Sequence, residues 1–205
     1  MKRRAPAEVD AAVERYAALV RRYHATLDLM SDAGLARLDE YLVDARRYAD
    51  VLVGLSPAPA VILDVGAGAG LPGIVLGASL EGVRIELVER RRRRATFLRM
   101  AAAAVGSGDV VVRNEDVRCL DGPPVGVVVA QALATLAEVY ALTRARHADE
   151  VVLISRKGPN WPEEVRGLEA EIASATEEVA AVPLSHRGTL VAVRLRGGRA
   201  CRSSA

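Results

Sequence analysis

Aromatic side chains are scarce in this chain, and so are the residue types that build metal sites. Phenylalanine, tyrosine and tryptophan make up 3% of the 205 residues, and there are only two cysteines and three histidines. Proteins that stack the bases of single-stranded nucleic acids need several aromatic side chains on one surface, so such a platform must be small here. Cys119 and Cys201 lie far apart without metal-ligand spacing. We therefore expect no metal ion and a reducing compartment.

Long apolar runs and a strong excess of one charge are also missing. No apolar stretch reaches membrane-spanning length. Residues 1–6 carry positive charge but run directly into Glu8 and Asp10, without the apolar segment of a signal peptide. We therefore expect a cytoplasmic protein without membrane contact. Lysine and arginine number 28 against 26 acidic residues, and the net charge of +2 is too small to indicate a nucleic-acid partner by itself.

The spacing of apolar residues divides the chain into a helical prefix and an α/β core. Three- and four-residue spacing predicts amphipathic helices over 6–29 and 35–55, and a Ser-Pro-Ala-Pro stretch at 56–59 ends the second helix. Short β-rich runs then alternate with helical segments, which predicts a doubly wound, Rossmann-like, mostly parallel sheet. We expect strands near 61–63, 84–88, 110–112, 125–129, 151–154 and 189–195, and helices near 73–80, 91–105, 133–146 and 163–179. The predicted units are a prefix at 1–56, a core at 57–197 and a polar tail at 198–205.

The most informative segment is a buried strand that enters a glycine-dense turn, Val61-Ile62-Leu63-Asp64-Val65-Gly66-Ala67-Gly68-Ala69-Gly70-Leu71-Pro72-Gly73. Gly66, Gly68 and Gly70 allow positive φ angles and a close ligand, as the first turn of a nucleotide-binding sheet requires. The Asp64 carboxylate can pair with the ammonium of a methionine moiety or hold the loop. This favours S-adenosylmethionine over a dinucleotide, because an anion would repel pyrophosphate. The stretch 68–73 also fits G-x-G-x-x-G, so a nicotinamide-dependent oxidoreductase stays open.

Polar side chains also follow the next two strands. Glu89 ends the second strand of the core about 20 residues after the glycine turn, where an acidic side chain accepts hydrogen bonds from ribose hydroxyls in both cofactor classes. Asn114, Glu115 and Asp116 follow the third strand, where polar side chains and backbone amides usually hold adenine. Each position also has a plainer interpretation. Glu89 can be a solvated residue at a strand end, and 114–116 can be an ordinary acidic turn.

The glycine segment and three later motifs together resemble one family. The motifs occur in the family's order over about residues 60 to 195: Leu63-Asp64-Val65-Gly66-Ala67-Gly68-Ala69-Gly70-Leu71-Pro72-Gly73-Ile74, then Leu87-Val88-Glu89-Arg90 with a basic run before Ala95-Thr96-Phe97-Leu98-Arg99, then Arg113-Asn114-Glu115, and Lys157-Gly158. They are similar to the signature of the RsmG (GidB) family of bacterial small-subunit ribosomal RNA guanine-N7 methyltransferases.

The resemblance implies S-adenosylmethionine as cofactor and small-subunit (16S) ribosomal RNA as the partner that receives a methyl group on guanine N7. It implies that the cofactor lies against Asp64, Gly66, Gly68, Gly70, Glu89, Asn114, Glu115, Asp116 and Gln131. It implies that RNA approaches Arg90, Arg91, Arg92, Arg93, Arg94 and Lys157. Guanine N7 has an in-plane lone pair, so we expect no general base and assign catalysis to alignment of the reactants. We expect the protein to be a monomer.

Two departures from the family pattern leave other functions open. Gln131-Ala132 stands where the family has Arg-Ala, and Gln131 can hold a base edge by hydrogen bonds. The prefix reads Leu27-Asp28-Leu29-Met30-Ser31 where the family has an Asn-Leu-Thr element, and 41–48 lacks the family's His-x-x-Asp-Ser-Leu element. The alternatives are a diverged paralogue that methylates another RNA or a small molecule, and a protein that binds S-adenosylmethionine without turnover.

Overall fold

Helices and strands alternate along the core, and helices form the prefix. The computed structural model describes residues 1–185 and 188–196, so the tail predicted at 198–205 lies outside the described residues. In chain order the elements are β1 (Lys2–Arg3), α1 (Pro6–Leu27), α2 (Asp32–Leu35), α3 (Leu38–Val53), β2 (Val61–Val65), α4 (Gly73–Ser79), β3 (Leu80–Glu81), β4 (Arg84–Val88), α5 (Arg92–Val105), β5 (Val110–Arg113), β6 (Val125–Gln131), α6 (Leu136–Thr143), β7 (His147–Lys157), α7 (Trp161–Ile172), β8 (Glu177–Pro183) and β9 (Thr189–Arg196).

Seven strands form one sheet in the order β5-β4-β2-β6-β7-β9-β8. The pairs of β2 with β4, β2 with β6, β4 with β5 and β6 with β7 are parallel, whereas β9 runs antiparallel to both β7 and β8. The strand order reverses at β2, which lies between β4 and β6. Open α/β sheets bind ligands at the carboxyl ends of the strands at such a switch point. The predicted doubly wound fold is confirmed.

Alternate side chains of the strands pack into two apolar layers. Ile62 of β2 packs in the layer that contains α1, α3, α4 and α5, whereas its neighbour Leu63 packs with Leu136 of α6 and Leu168 of α7. This follows from the two-residue period of a strand. The helical prefix therefore shares a core with the sheet, and its Tyr16 and Tyr48 are fully buried there.

The helix predicted over 163–179 is wrong in its second half. α7 ends at Ile172, with Ala173 as a left-handed C-cap (φ 52°), and β8 begins at Glu177. The backbone N–H and the hydroxyl of Thr176 both donate to Oε1 of Glu169 at 2.9 Å, which fixes the turn between the two elements. The alanine- and glutamate-rich sequence continues across this turn, so apolar spacing alone did not reveal it.

Other boundaries differ by smaller amounts. The helix predicted over 35–55 is instead α2 and α3, and α2 begins after Ser31, whose hydroxyl accepts a hydrogen bond from the Gly34 N–H at 3.1 Å. The helix predicted over 133–146 is the shorter α6 followed by a 3-10 turn at Arg144–Arg146. The strand predicted over 151–154 extends back to His147. Over the described ranges, no helix has both the length and the apolar character to cross a membrane.

Candidate active site

Two adjacent cavities lie at the carboxyl ends of the strands around the switch point. The prefix-side cavity has a volume of about 610 Å³, and its lining includes Met30, Tyr41, Gln131, Arg156 and Lys157. The turn-side cavity has a volume of about 560 Å³, and its lining includes Glu89, Glu115, Asp116, Leu133 and Leu142. Both cavities touch Gly66, Arg94 and Ala132. The two cavities therefore adjoin at these shared residues.

The glycine loop, residues 66–70, borders both cavities. Gly66, Gly68 and Gly70 have φ angles of 70°, 55° and 101°, which L side chains rarely adopt. A Cβ on Gly66 would lie 2.8 Å from Cδ1 of Leu133, and a Cβ on Gly70 would lie 2.6 Å from Cγ1 of Ile74. A Cβ on Gly68 would meet no heavy atom closer than 3.6 Å. The backbone beside Gly68 is therefore open to a ligand, whereas Gly66 and Gly70 are needed for the loop itself.

Asp64 lies beneath the glycine loop and does not line either cavity. Its side chain is 1% exposed, and Oδ2 accepts a hydrogen bond from the Gly73 N–H at 2.9 Å. Burial raises the pKa of Asp64 to about 8, and the Gly73 N–H opposes that rise. Of the two roles that the sequence suggested, this contact fits the holding of the loop against the start of α4.

Asp64 should make the stability of the protein depend on pH. The pKa rises from its ordinary value of 3.8 to about 8 on folding, so the stabilising contribution is complete below pH 3.8 and is lost as pH rises to about 8. Because one proton is involved, the free energy of unfolding should fall by at most about 1.4 kcal/mol per pH unit in this window. Asp64→Asn keeps an oxygen for the Gly73 N–H and cannot titrate, so its curve should be flatter.

Urea unfolding of both proteins at a series of pH values between 4 and 8 measures this difference. The comparison with Asp64→Asn is needed because burial lowers the pKa of His147 to about 4, which gives a slope of opposite sign below pH 6.5 in both proteins. Parallel curves for the two proteins would contradict the prediction.

Glu89 holds the glycine loop from the end of β4. Its Oε2 accepts a hydrogen bond from the Gly68 N–H at 3.1 Å, and its Oε1 accepts one from the Arg91 N–H at 2.7 Å. Glu89 also lines the turn-side cavity. A carboxylate has about four lone-pair positions, so Glu89 can still accept hydrogen bonds from ribose hydroxyls while it accepts those from the two N–H groups. The plainer interpretation of Glu89 as a solvated residue does not fit its burial.

The residues of the 114–116 turn have different surroundings. Asn114 donates from Nδ2 to the backbone oxygens of Glu89 and Arg90 at 2.9 and 3.1 Å, so it links this turn to the end of β4. Glu115 and Asp116 line the turn-side cavity. The side chain and N–H of Arg118 hold the pKa of Asp116 well below its ordinary value. Asp116 thus presents an ionised carboxylate to the cavity.

Gln131 ends β6 at the wall of the prefix-side cavity. Its Oε1 accepts a hydrogen bond from the Tyr48 hydroxyl at 3.3 Å, and its Nε2 forms none within the described part of the chain. Arg156, its neighbour in the parallel register of β7, pairs with the buried Asp44. The prefix residues Tyr48 and Asp44 therefore orient both side chains.

The arginine run is divided by the start of α5, so it does not form one surface. Arg94 is turned into the cleft, where its guanidinium pairs with Asp28 at 3.0 Å, and Arg91 pairs with the same carboxylate at 3.2 Å. Arg90, Arg92 and Arg93 are exposed; none of them forms an ion pair within 1–185 and 188–196, although the charge of Arg90 helps to lower the pKa of Asp116.

Lys157 is almost fully buried in the wall of the prefix-side cavity. It pairs with Glu164 at 2.8 Å and donates to the Ala134 backbone oxygen at 2.6 Å. Its ammonium is thus already engaged by the protein.

Sequence reasoning missed the contribution of the prefix to this site. The Tyr16 hydroxyl donates to the Ala69 backbone oxygen in the glycine loop at 2.8 Å, and Tyr48 and Asp28 contact Gln131 and Arg94. The helix spacing places Tyr16 on an apolar face, and Asp28 and Tyr48 fall in the two stretches that depart from the family pattern, so the sequence assigns none of them a role in the site. The apolar spacing that identified the helices contained no information about which polar ends would reach the loop.

The strand order separates two classes of protein that share a glycine-rich first turn. In dinucleotide-binding sheets the sixth strand continues the order 3-2-1-4-5-6, whereas here β9 enters between β7 and β8 and runs antiparallel. The fold is that of class I S-adenosylmethionine-dependent methyltransferases. The chain is similar to magnesium protoporphyrin IX methyltransferase from Synechocystis PCC 6803 with bound SAM (TM-score 0.64, 14% identity, 87% of this chain and 96% of that chain). It is also similar to ribosomal protein L11 methylase from Lactobacillus delbrueckii (TM-score 0.58, 15% identity, 79% of each chain).

The sequence comparisons identify the particular family. The family model GidB, rRNA small subunit methyltransferase G, matches residues 10–192. The chain is 34% identical over 194 residues to ribosomal RNA small subunit methyltransferase G of Halorhodospira halophila, and this alignment covers 91% of this chain and 90% of that protein. It is 34% identical over 185 residues to the protein of the same name in Cereibacter sphaeroides, with 84% and 86% covered. The chain belongs to this family, as its motifs indicated, and the nicotinamide-dependent alternative is set aside.

Proposed function

We propose that this protein is an S-adenosylmethionine-dependent methyltransferase that transfers a methyl group to N7 of a guanine in small-subunit ribosomal RNA. The single observation that supports this most is the family match over residues 10–192. That match includes the glycine loop and Glu89, which border the cleft at the switch point of the sheet.

The cleft fits a nucleoside cofactor with a charged amino-acid moiety. Glu89 would accept the ribose hydroxyls, and Val117, Leu133 and Leu142 supply an apolar surface for adenine in the turn-side cavity. The open backbone beside Gly68 leaves space for the methionine moiety, while Asp64 supports the loop from below. Arg94 lines both cavities, and its Nη1 forms no hydrogen bond in the described ranges, which suits a donor that a ligand satisfies. When bound, this cofactor supplies an electrophilic methyl group on a sulfonium.

The residues of this chain orient the acceptor base, and none of them has to remove a proton from it. The N7 lone pair needs no prior ionisation, so alignment is the main requirement. Because Tyr48 donates to Oε1 of Gln131, the Nε2 of Gln131 is left to donate to an acceptor on the base edge. The purine gains positive charge during transfer, which a cationic surrounding would oppose. The carboxylates of Asp44 and Glu164 offset the charges of Arg156 and Lys157 beside the cavity.

The exposed part of the arginine run is the proposed RNA contact. Arg90, Arg92 and Arg93 lie beside the turn-side cavity and at the start of α5 without ion-pair partners in the described ranges. Positive side chains in the first turn of a helix oppose the helix dipole. Their presence there is therefore better explained by an anionic partner such as the phosphate backbone than by helix stability.

Replacement of Arg92 and Arg93 by glutamine should weaken RNA binding. It should also make the remaining affinity less sensitive to salt. Loss of two phosphate contacts should reduce the magnitude of the negative slope of log K against log salt by about 1 to 2. Fluorescence anisotropy with a labelled fragment of small-subunit RNA at several salt concentrations measures the slope. Arg84→Gln removes an exposed charge at the amino end of β4, away from the cleft. An equal loss of slope in that control would contradict the proposed contact.

The activity is tested with tritiated S-adenosylmethionine and isolated small ribosomal subunits. We expect label in the RNA, and 7-methylguanosine in its digest by mass spectrometry. Absence of label above a heat-inactivated control would refute the proposal.

Gln131 supports a second candidate, a methyltransferase for another RNA or a small molecule. A neutral amide at the end of β6 binds a base edge differently from the arginine of the family pattern. Label that appears only in a non-ribosomal fraction of the same assay would favour this candidate.

We further propose a monomer that acts in the cytoplasm without a metal ion, with the division into prefix 1–56 and core 57–197. In the described residues no group of three or more His, Cys, Asp or Glu side chains can hold a metal. Light scattering during gel filtration tests the oligomeric state, and activity after chelation tests the metal.

A further inference from the structure

We propose that Arg94 binds the carboxylate of the cofactor's methionine moiety and is not an RNA contact. This inference rests on the proposed function, since it needs S-adenosylmethionine in the cleft. The family resemblance grouped Arg94 with four arginines as one basic run. The structure separates it from them by orientation, by its partners and by an unused donor.

Arg94 lies where the two cavities meet. Its side chain is 18% exposed, against 54% for Arg91. It lines both cavities, and its Nη1 lies 4.0 Å from the position that a Cβ on Gly68 would take. The guanidinium is therefore beside the open part of the glycine loop, next to the space assigned to the methionine moiety.

Among the residues that the structure describes, contacts engage only one nitrogen of this guanidinium. Nη2 donates to Oδ2 of Asp28 at 3.0 Å and also to the Asp28 backbone oxygen. In the described ranges, Nε is buried without a hydrogen-bond partner and Nη1 forms no hydrogen bond. Leaving a buried donor of a charged group unpaired is costly, and such donors in native structures usually meet a ligand or water.

The other cations of the prefix-side cavity have protein partners. Arg156 pairs with Asp44, Lys157 with Glu164, and Arg37 pairs with Glu40 at 3.1 Å. The partner of Arg94 differs from these, because the Asp28 side chain is 83% exposed and also pairs with Arg91.

Asp28 can therefore orient Arg94 from the solvent side, while Nη1, which lies beside the open part of the glycine loop, remains for a ligand. A carboxylate matches a guanidinium because both are planar and have two bonding positions. Among the polar groups that the cofactor presents, the carboxylate is the one that needs a cationic partner.

The test combines one change in the protein with one change in the ligand. Calorimetry with S-adenosylhomocysteine and with its decarboxylated analogue measures what the carboxylate contributes to affinity. We expect the wild-type protein to prefer S-adenosylhomocysteine by about 10- to 100-fold. Arg94→Gln should remove this preference by weakening S-adenosylhomocysteine, with the affinity for the decarboxylated analogue changed by less than about twofold.

Matched variants decide between recognition and loop support. Arg99→Gln, at an exposed position later on α5, should leave both affinities unchanged. Equal weakening of both ligands by Arg94→Gln, or an undiminished preference, would overturn the proposal. If Arg94→Gln does not fold, Arg94→Lys takes its place, because lysine keeps the charge and loses the planar fork. The ratio of its affinities for S-adenosylhomocysteine and the decarboxylated analogue should then be smaller than in the wild-type protein. If the wild-type protein binds neither ligand, the proposed function fails together with this inference.

Discussion

Replacement of Glu89 by alanine is expected to weaken binding of S-adenosylhomocysteine by at least about 100-fold. The change removes the acceptor for the Gly68 and Arg91 N–H groups and the proposed acceptor for the ribose hydroxyls. The loop would lose its position at the same time as the cofactor loses a direct contact. Isothermal titration calorimetry measures the affinity, and circular dichroism shows whether the variant is folded.

Two further variants separate these effects. Glu89→Gln keeps the shape but offers only one oxygen, so it should lie between wild type and alanine. Glu178→Ala removes an exposed carboxylate on β8 at the sheet edge and should leave the affinity unchanged. A folded Glu89→Ala protein whose affinity is within threefold of wild type would show that the cleft has been assigned wrongly.

The second large effect is expected at Arg146, whose side chain is 1% exposed. It pairs with the buried Glu86 at 3.2 Å and donates to the backbone oxygens of Asp121 and Pro123 at 2.8 Å. Arg146→Met leaves a buried carboxylate and two carbonyls without these donors, and Arg113 lies 3.9 Å from Glu86 as a partial replacement. We expect a loss of about 3 to 5 kcal/mol in the free energy of unfolding, as for other broken buried pairs.

Urea denaturation measures this loss, with two proteins for comparison. The double variant Glu86→Leu with Arg146→Met removes both charges and should recover at least about half of the stability, because apolar pairs often replace buried ion pairs without loss. Arg166→Met breaks the exposed pair with Glu163 and should cost less than about 1 kcal/mol. A loss below that size for Arg146→Met would mean that water reaches Glu86.

The place of the cleft could be predicted because its determinants are local in sequence. A buried strand, three glycines and a following helix occupy 61–79, and the left-handed φ angles of Gly66, Gly68 and Gly70 belong to the glycine loop itself. Glu89 could be identified because it ends the adjacent parallel strand. Short-range patterns of this kind do not depend on how distant segments pack.

The partners of the site residues could not be predicted, because they come from distant parts of the chain. Asp28 contacts Arg94 across 66 residues, and Tyr48 contacts Gln131 across 83. The orientation of Arg94 depends on where α5 begins relative to the end of α1. For Asp64 the pattern allowed two roles, and its burial beneath the loop separates them. β8 was missed because its edge position leaves its residues only partly buried.

The position of β9 has a consequence for biosynthesis. β9 pairs with β7 along Val151 to Lys157 and with β8 on its other side, so a nascent chain that has emerged only through β8 still lacks an interior strand. Until Thr189–Arg196 leaves the ribosome, the β7 edge offers unpaired N–H and C=O groups, which favour association with other chains. Chaperones that shield strand edges should therefore raise the yield of this protein most in the interval between the emergence of β8 and that of β9.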